Sequence, residues 1–173
     1  LVSRVLPSAG LSKHRQVELE PGYSGITVSD GRVFTMDRPA HEKENESERV
    51  ICLDALSGDR LWEYSYPVRY ESLDYGKGPR ASITIIGELA FGLGAMGDAF
   101  CLEAKTGKLV WERNLSEEEN CKAPIWGFAA SPLSLGDEIL YHIGAQPLGA
   151  VVALNQETGV THWKVGKDEM AGY

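Results

Sequence analysis

Short apolar or alternating runs recur along this chain, separated by turns that contain glycine. Ser24–Val28 and Arg32–Thr35 flank Asp30-Gly31. Ser82–Ile86 and Glu88–Gly92 flank Gly87, and Ser131–Leu135 and Glu138–Ile143 flank Gly136-Asp137. Run length, period and turn chemistry together predict three hairpins of short strands. No segment carries a strong helical pattern.

Downstream of each hairpin lies a second one, and these second hairpins are copies of one another. Cys52–Trp62 reads CLDALSGDRLW, Cys101–Trp111 reads CLEAKTGKLVW and Ala153–Trp163 reads ALNQETGVTHW. The three align without a gap. Asp54, Glu103 and Asn155, with Ser57, Thr106 and Thr158, are placed to hydrogen-bond turn backbone. Gly58, Gly107 and Gly159 supply the positive φ that the turn needs. Trp62, Trp111 and Trp163 are three of the four tryptophans in the chain, all at one repeat position. Each is expected to dock its ring onto a neighbouring sheet.

Four antiparallel strands per repeat make a β-propeller blade. A β-sandwich would account for the strand spacing but not for the aligned tryptophans. The expected fold is therefore all-β, a propeller of four-stranded antiparallel blades with about three present. Residues 22–78, 79–125 and 126–170 are the expected blades. Residues 1–21 read as the remnant of a preceding blade or connector, and 171–173 as the start of the next. Three blades leave open faces and strand edges, so a fragment of a propeller of roughly seven or eight blades is expected.

Composition narrows the function. The 173 residues are 43% hydrophobic and 24% charged, with net charge −8. That acidity argues against a nucleic-acid partner, which needs a basic footprint. No apolar run approaches the roughly 20 residues of a transmembrane helix. Three cysteines do not make a disulfide framework. Cys52 and Cys101 share their repeat position with Ala153, which predicts small, buried, inert thiols; Cys121 lies in a polar loop. No clustered Cys/His spacing suggests a metal site.

The hairpin pattern at Cys52–Trp62, Cys101–Trp111 and Ala153–Trp163 resembles the tryptophan-docking repeat of pyrroloquinoline-quinone (PQQ)-like β-propellers, the quinoprotein alcohol dehydrogenase-like superfamily. The resemblance implies a bacterial, extracytoplasmic protein of the periplasm or cell envelope. Some members are dehydrogenases that hold PQQ and Ca2+ in the central channel. Others are non-catalytic platforms, such as an outer-membrane-protein assembly lipoprotein. The adjacent cysteine pair of the dehydrogenases does not occur here. The expected function is a non-catalytic binding or scaffold module with no cofactor identified, taking a protein partner or a small-molecule or carbohydrate ligand at its channel face. The alternative is a PQQ- and calcium-dependent alcohol or sugar dehydrogenase.

In such a propeller, blade-to-blade connections and the loops between second and third strands share one face. Here they are Ser65–Pro79, Ser116–Ile125 and Pro39–Glu48. The first strand of each blade opens at the channel mouth, so Tyr23, Arg80, Trp126 and Tyr173 are the candidate ligand or cofactor contacts. Trp126 is the tryptophan outside the repeat position, and Arg80 among aromatic rings suits an anion or a planar ligand. The competing expectation is that these side chains only pack the channel neck. Gly92–Gly97 spells GxGxxG, but no helix pattern follows to receive a pyrophosphate. Glu42–Glu48 and Glu117–Glu119 read as solvated loops. His14, His41, His142 and His162 are dispersed, and no catalytic set can be singled out by spacing.

Overall fold

The computed structural model describes residues 16–39, 46–70, 73–74, 76–145, 147–168 and 170–171. These form twelve strands and one short helix. Blade 1 comprises β1 (Thr27–Ser29), β2 (Arg32–Asp37), β3 (Ser47–Asp54) and β4 (Arg60–Pro67). Blade 2 comprises β5 (Thr84–Ile86), β6 (Leu89–Leu93), β7 (Asp98–Glu103) and β8 (Leu109–Asn114), followed by the helix α1 (Leu115–Glu118). Blade 3 comprises β9 (Leu133–Leu135), β10 (Glu138–His142), β11 (Val151–Asn155) and β12 (Thr161–Val165). Each is an antiparallel meander, paired in chain order. The all-β architecture of four-stranded blades is as expected.

The repeat is conformational as well as chemical. Cys52 pairs with Trp62, Cys101 with Trp111 and Ala153 with Trp163, and each ladder shifts register at the next residue. Gly58, Gly107 and Gly159 have φ of 73°, 73° and 69°. Their amides donate to the carbonyls of Asp54, Glu103 and Asn155. The Asp54 carboxylate also accepts from the amides of Leu56 and Ser57, and the Asn155 side chain from those of Glu157 and Thr158. Asn155→Ala removes these acceptors from blade 3 and is expected to cost about 1 kcal/mol, read as a lower denaturation midpoint.

Innermost strands start later than their apolar runs do. Serines ahead of β1 and β5 bond sideways to the next blade. Ser24 Oγ donates to the Ala81 carbonyl at 2.8 Å, and the Ser82 amide to Ser131 Oγ at 3.0 Å. Within the strands, Thr27 Oγ1 reaches the Ile83 carbonyl and Thr84 Oγ1 the Pro132 carbonyl, each at 2.6 Å. Hydroxyl side chains thus stitch neighbouring blades near the axis.

Apolar cores lie between blades, because a sheet with two apolar faces must bury both. Phe34, Met36, Val50 and Cys52 of blade 1 meet Ala90, Phe100 and Leu102 of blade 2. From the other face of blade 2, Phe91, Leu93, Cys101 and Trp111 meet Ile139, Tyr141, Val152 and Leu154 of blade 3. Period-two alternation along β6 and β7 sorts residues between the two seams. Burial raises the thiols of Cys52 to about 11 and Cys101 to about 12, which keeps both inert.

Two of the repeated indoles bridge the seams. Trp62 Nε1 donates to the Ala104 carbonyl at 3.2 Å, and Trp111 Nε1 to the Gln156 carbonyl at 2.8 Å. Each ring lies on the turn glycine of the following blade. A Cβ at Gly107 would stand 2.5 Å from a Trp62 ring atom, and one at Gly159 2.8 Å from Trp111. The glycine therefore serves both its own turn and the neighbour's tryptophan. Trp163 instead donates to Glu138 of its own blade, at 2.9 and 2.8 Å to the two carboxyl oxygens.

Candidate functional site

The loop joining β2 to β3, the β4–β5 connection, the β6–β7 loop and the β8–β9 connection share one face of the array. The Val68 amide bonds the Glu46 carbonyl, Asp74 bonds Ile125, and Phe128 bonds Ala95. Between the β4–β5 and β8–β9 connections lies an open cleft of about 730 Å³. Arg69, Asp98, Asn114 and Lys122 supply its polar wall; Val68 and Met96 are among its apolar contacts. Such a mixed lining, carried on connections at the ends of β4, β7 and β8, suits a polar ligand or a peptide.

Beside the cleft, at the seam of blades 1 and 2, sits a buried carboxyl. Glu48 is 0% exposed. Its Oε2 accepts from the Tyr66 hydroxyl at 2.6 Å, and its Oε1 from the Tyr70 hydroxyl at 2.9 Å. The Ala95 amide of blade 2 reaches both oxygens, at 3.3 and 3.2 Å. Burial raises the Glu48 carboxyl to about 7; the three hydrogen bonds work against that rise, and the nearby Asp98 adds to it. Asp98 is also raised, first by burial, although Asn114 Nδ2 donates to it at 2.9 Å. Gly94 makes room for the network, since a Cβ there would lie 2.6 Å from the Tyr66 hydroxyl and 2.7 Å from Glu48 Oε2.

This corrects the reading of Glu42–Glu48 as a solvated loop. Glu48 belongs to β3 and faces the seam. Glu46 is paired with Arg38 at 3.1 Å and with Lys77. Burial opposes its charge, but the hydrogen bonds and charges of Lys77 and Arg38 outweigh burial and hold the carboxyl below its usual range. Residues 42–45 lie outside the described residues. Within Glu117–Glu119, Glu119 is likewise not free in solvent but paired with Lys164. A signal for Glu48 was present in the chain: it shares period-two parity with Val50 and Cys52, which face the same seam.

The channel-mouth candidates are placed as follows. Arg80 is 7% exposed; its guanidinium donates to the Gly78 carbonyl and, at 2.6 Å, to that of Gly76. It stands 5.1 Å from the centre of the Tyr23 ring. Tyr23 is 57% exposed and Trp126 38%. Arg80 thus clamps the β4–β5 connection, whereas the two aromatic rings present open surface. Tyr173 lies outside the described residues. GxGxxG occupies the end of β6 and its turn, and β7 follows directly.

Among the described residues, no three His, Cys, Asp or Glu side chains converge as metal ligands. A calcium cage takes about 6–8 oxygens in their charged or carbonyl form. Here Glu48 and Asp98 are engaged by internal donors, and burial raises both carboxyls. No helix among them is long and apolar enough to cross a membrane.

Comparison with known proteins agrees with this architecture. BamB from Moraxella catarrhalis is similar over 84% of this chain, at 21% identity and a TM-score of 0.54. A quinohemoprotein alcohol dehydrogenase from Comamonas testosteroni is similar over 84% at 18% identity, with a TM-score of 0.57. A europium-containing methanol dehydrogenase is similar over 81% at 18% identity, with a TM-score of 0.58. This chain spans 37% of the first structure, 21% of the second and 24% of the third. At these identities the likeness is one of fold. A search of curated proteins returns no match. The family described as outer membrane protein assembly factor BamB matches residues 46–172. The chain therefore belongs to this PQQ-like repeat family, and its three sheets are blades of a β-propeller.

Proposed function

We propose that these blades form part of a non-catalytic, extracytoplasmic scaffold whose connection face binds a protein partner. The observation that carries this reading is the cleft: several connections hold a mixed polar and apolar surface on rigid sheets. The family description, which names outer-membrane protein assembly, supports an envelope location and a partner within that assembly process.

Two measurements on the full chain test the proposal. Incubation with PQQ and Ca2+, followed by a dye-linked alcohol oxidation assay, is expected to give neither cofactor retention nor turnover. Retention with turnover would overturn the reading in favour of the dehydrogenase. In cells, photo-crosslinkers at Arg69 and Lys122 should join the protein to an envelope assembly component, while one at Leu56, on the opposite hairpin end, should not. Equal labelling from both ends would remove the cleft as the binding surface.

A further inference from the structure

We propose that the Glu48 carboxyl is a proton-operated tie between blades 1 and 2, closed when protonated and loosened when ionised. The inference concerns the seam itself and stands whether or not the cleft binds a partner. Its basis is geometric. One carboxyl holds three separate pieces of chain: Tyr66 on β4, Tyr70 on the β4–β5 connection, and Ala95 in the β6–β7 loop of the neighbouring blade. All three pieces also form the cleft wall, through Pro67, Val68 and Met96.

Its partners are two phenols and one amide, and none carries a positive charge. Asp98, from β7, faces the same carboxyl and repels its charged form. Asp98 in turn feels Glu117 and Glu112. The nearby cations engage Tyr70 instead: Arg38 and Lys77 lie 5.7 and 5.5 Å from its ring centre, and Arg80 acts on it electrostatically. Protonated, Glu48 turns its own O–H to one phenol oxygen and keeps the remaining donors. Ionised, it is a fully buried anion without a counter-charge, which is relieved when water enters and the Tyr70 and Ala95 segments part. The folded carboxyl, at about 7, lies above its unfolded value of 4.5. The folded state therefore holds the extra proton between those values. Its stabilising effect is complete below the lower one and is lost as pH rises through the upper one.

Hydrogen exchange of the full chain tests the tie. After correction for intrinsic exchange, opening of residues 66–70 and 94–98 should increase roughly 30-fold between pH 5.5 and pH 8.5. Glu48→Gln, which keeps shape and neutrality, should abolish the increase, and Asp98→Asn should retain most of it. A flat wild-type profile, an undiminished increase in Glu48→Gln, or loss of the increase in Asp98→Asn alone would each overturn the proposal. Should Glu48→Gln fail to fold, the carboxyl carbon resonance of Glu48 in the wild type decides. A midpoint near 7 supports the tie, and one near 4.5 removes it.

Discussion

Trp111→Ala should lower the stability of the array by about 3–5 kcal/mol, the largest single loss expected from a side-chain truncation here. The ring is 8% exposed and belongs to the core between blades 2 and 3. It packs near Phe91, with ring centres 6.0 Å apart, and its N–H satisfies the Gln156 carbonyl. Truncation removes the apolar area, leaves a cavity and strands that carbonyl. Trp62→Ala should cost less, because its ring is only half-buried and its hydrogen bond is longer, at 3.2 Å. Denaturant midpoints of the two variants in the full chain measure the difference. Equal losses would mean that the seam does not depend on how deeply the indole is buried. Since whole domains are stable by only about 5–15 kcal/mol, the Trp111 variant is expected to populate partly opened states.

Gly107→Ala should be nearly as damaging, for a different reason. At φ 73° an L-residue is strained by about 1–2 kcal/mol. The new methyl would also stand 2.5 Å from a Trp62 ring atom, so the indole must leave its seat, adding an overpacking cost of about 1–3 kcal/mol. Gly31 separates the two contributions. It has φ 71°, yet nothing lies within 4 Å of a Cβ placed there. Gly31→Ala should therefore show the backbone cost alone. The double variant Trp62→Ala/Gly107→Ala should lose less than the sum of its parts, because the clash vanishes with the ring. Strict additivity would show that the two residues do not press on each other.

Much of the architecture was legible in the chain because its signals are local and repeated. Turn chemistry at Asp54, Glu103 and Asn155, positive φ at three glycines, and alternation along β2, β3, β6 and β7 are decided by near neighbours in sequence. Repetition then multiplied weak signals into a strong one. The late start of β1 and β5 was not legible, since Ser24 and Ser82, just ahead of them, hydrogen-bond to a neighbouring blade. Glu48 was misread for a related reason. Its acidic neighbours in sequence suggested solvent, while its parity in β3 pointed to the seam.

By itself, then, the sequence determined that this chain makes four-stranded blades, where their turns fall, and that indoles at residues 62, 111 and 163 stand at one register position of the repeat. Those features follow from backbone preferences and periodicity, which act over a few residues. Only the tertiary structure decided that Gly107 and Gly159 seat the indoles of the preceding blade, that Arg80 clamps loop carbonyls, and that Glu48 ties two blades together through a buried, uncompensated carboxyl. Each of these contacts joins residues brought close by packing, and the energy of a buried charge or a close approach is set by what stands opposite it.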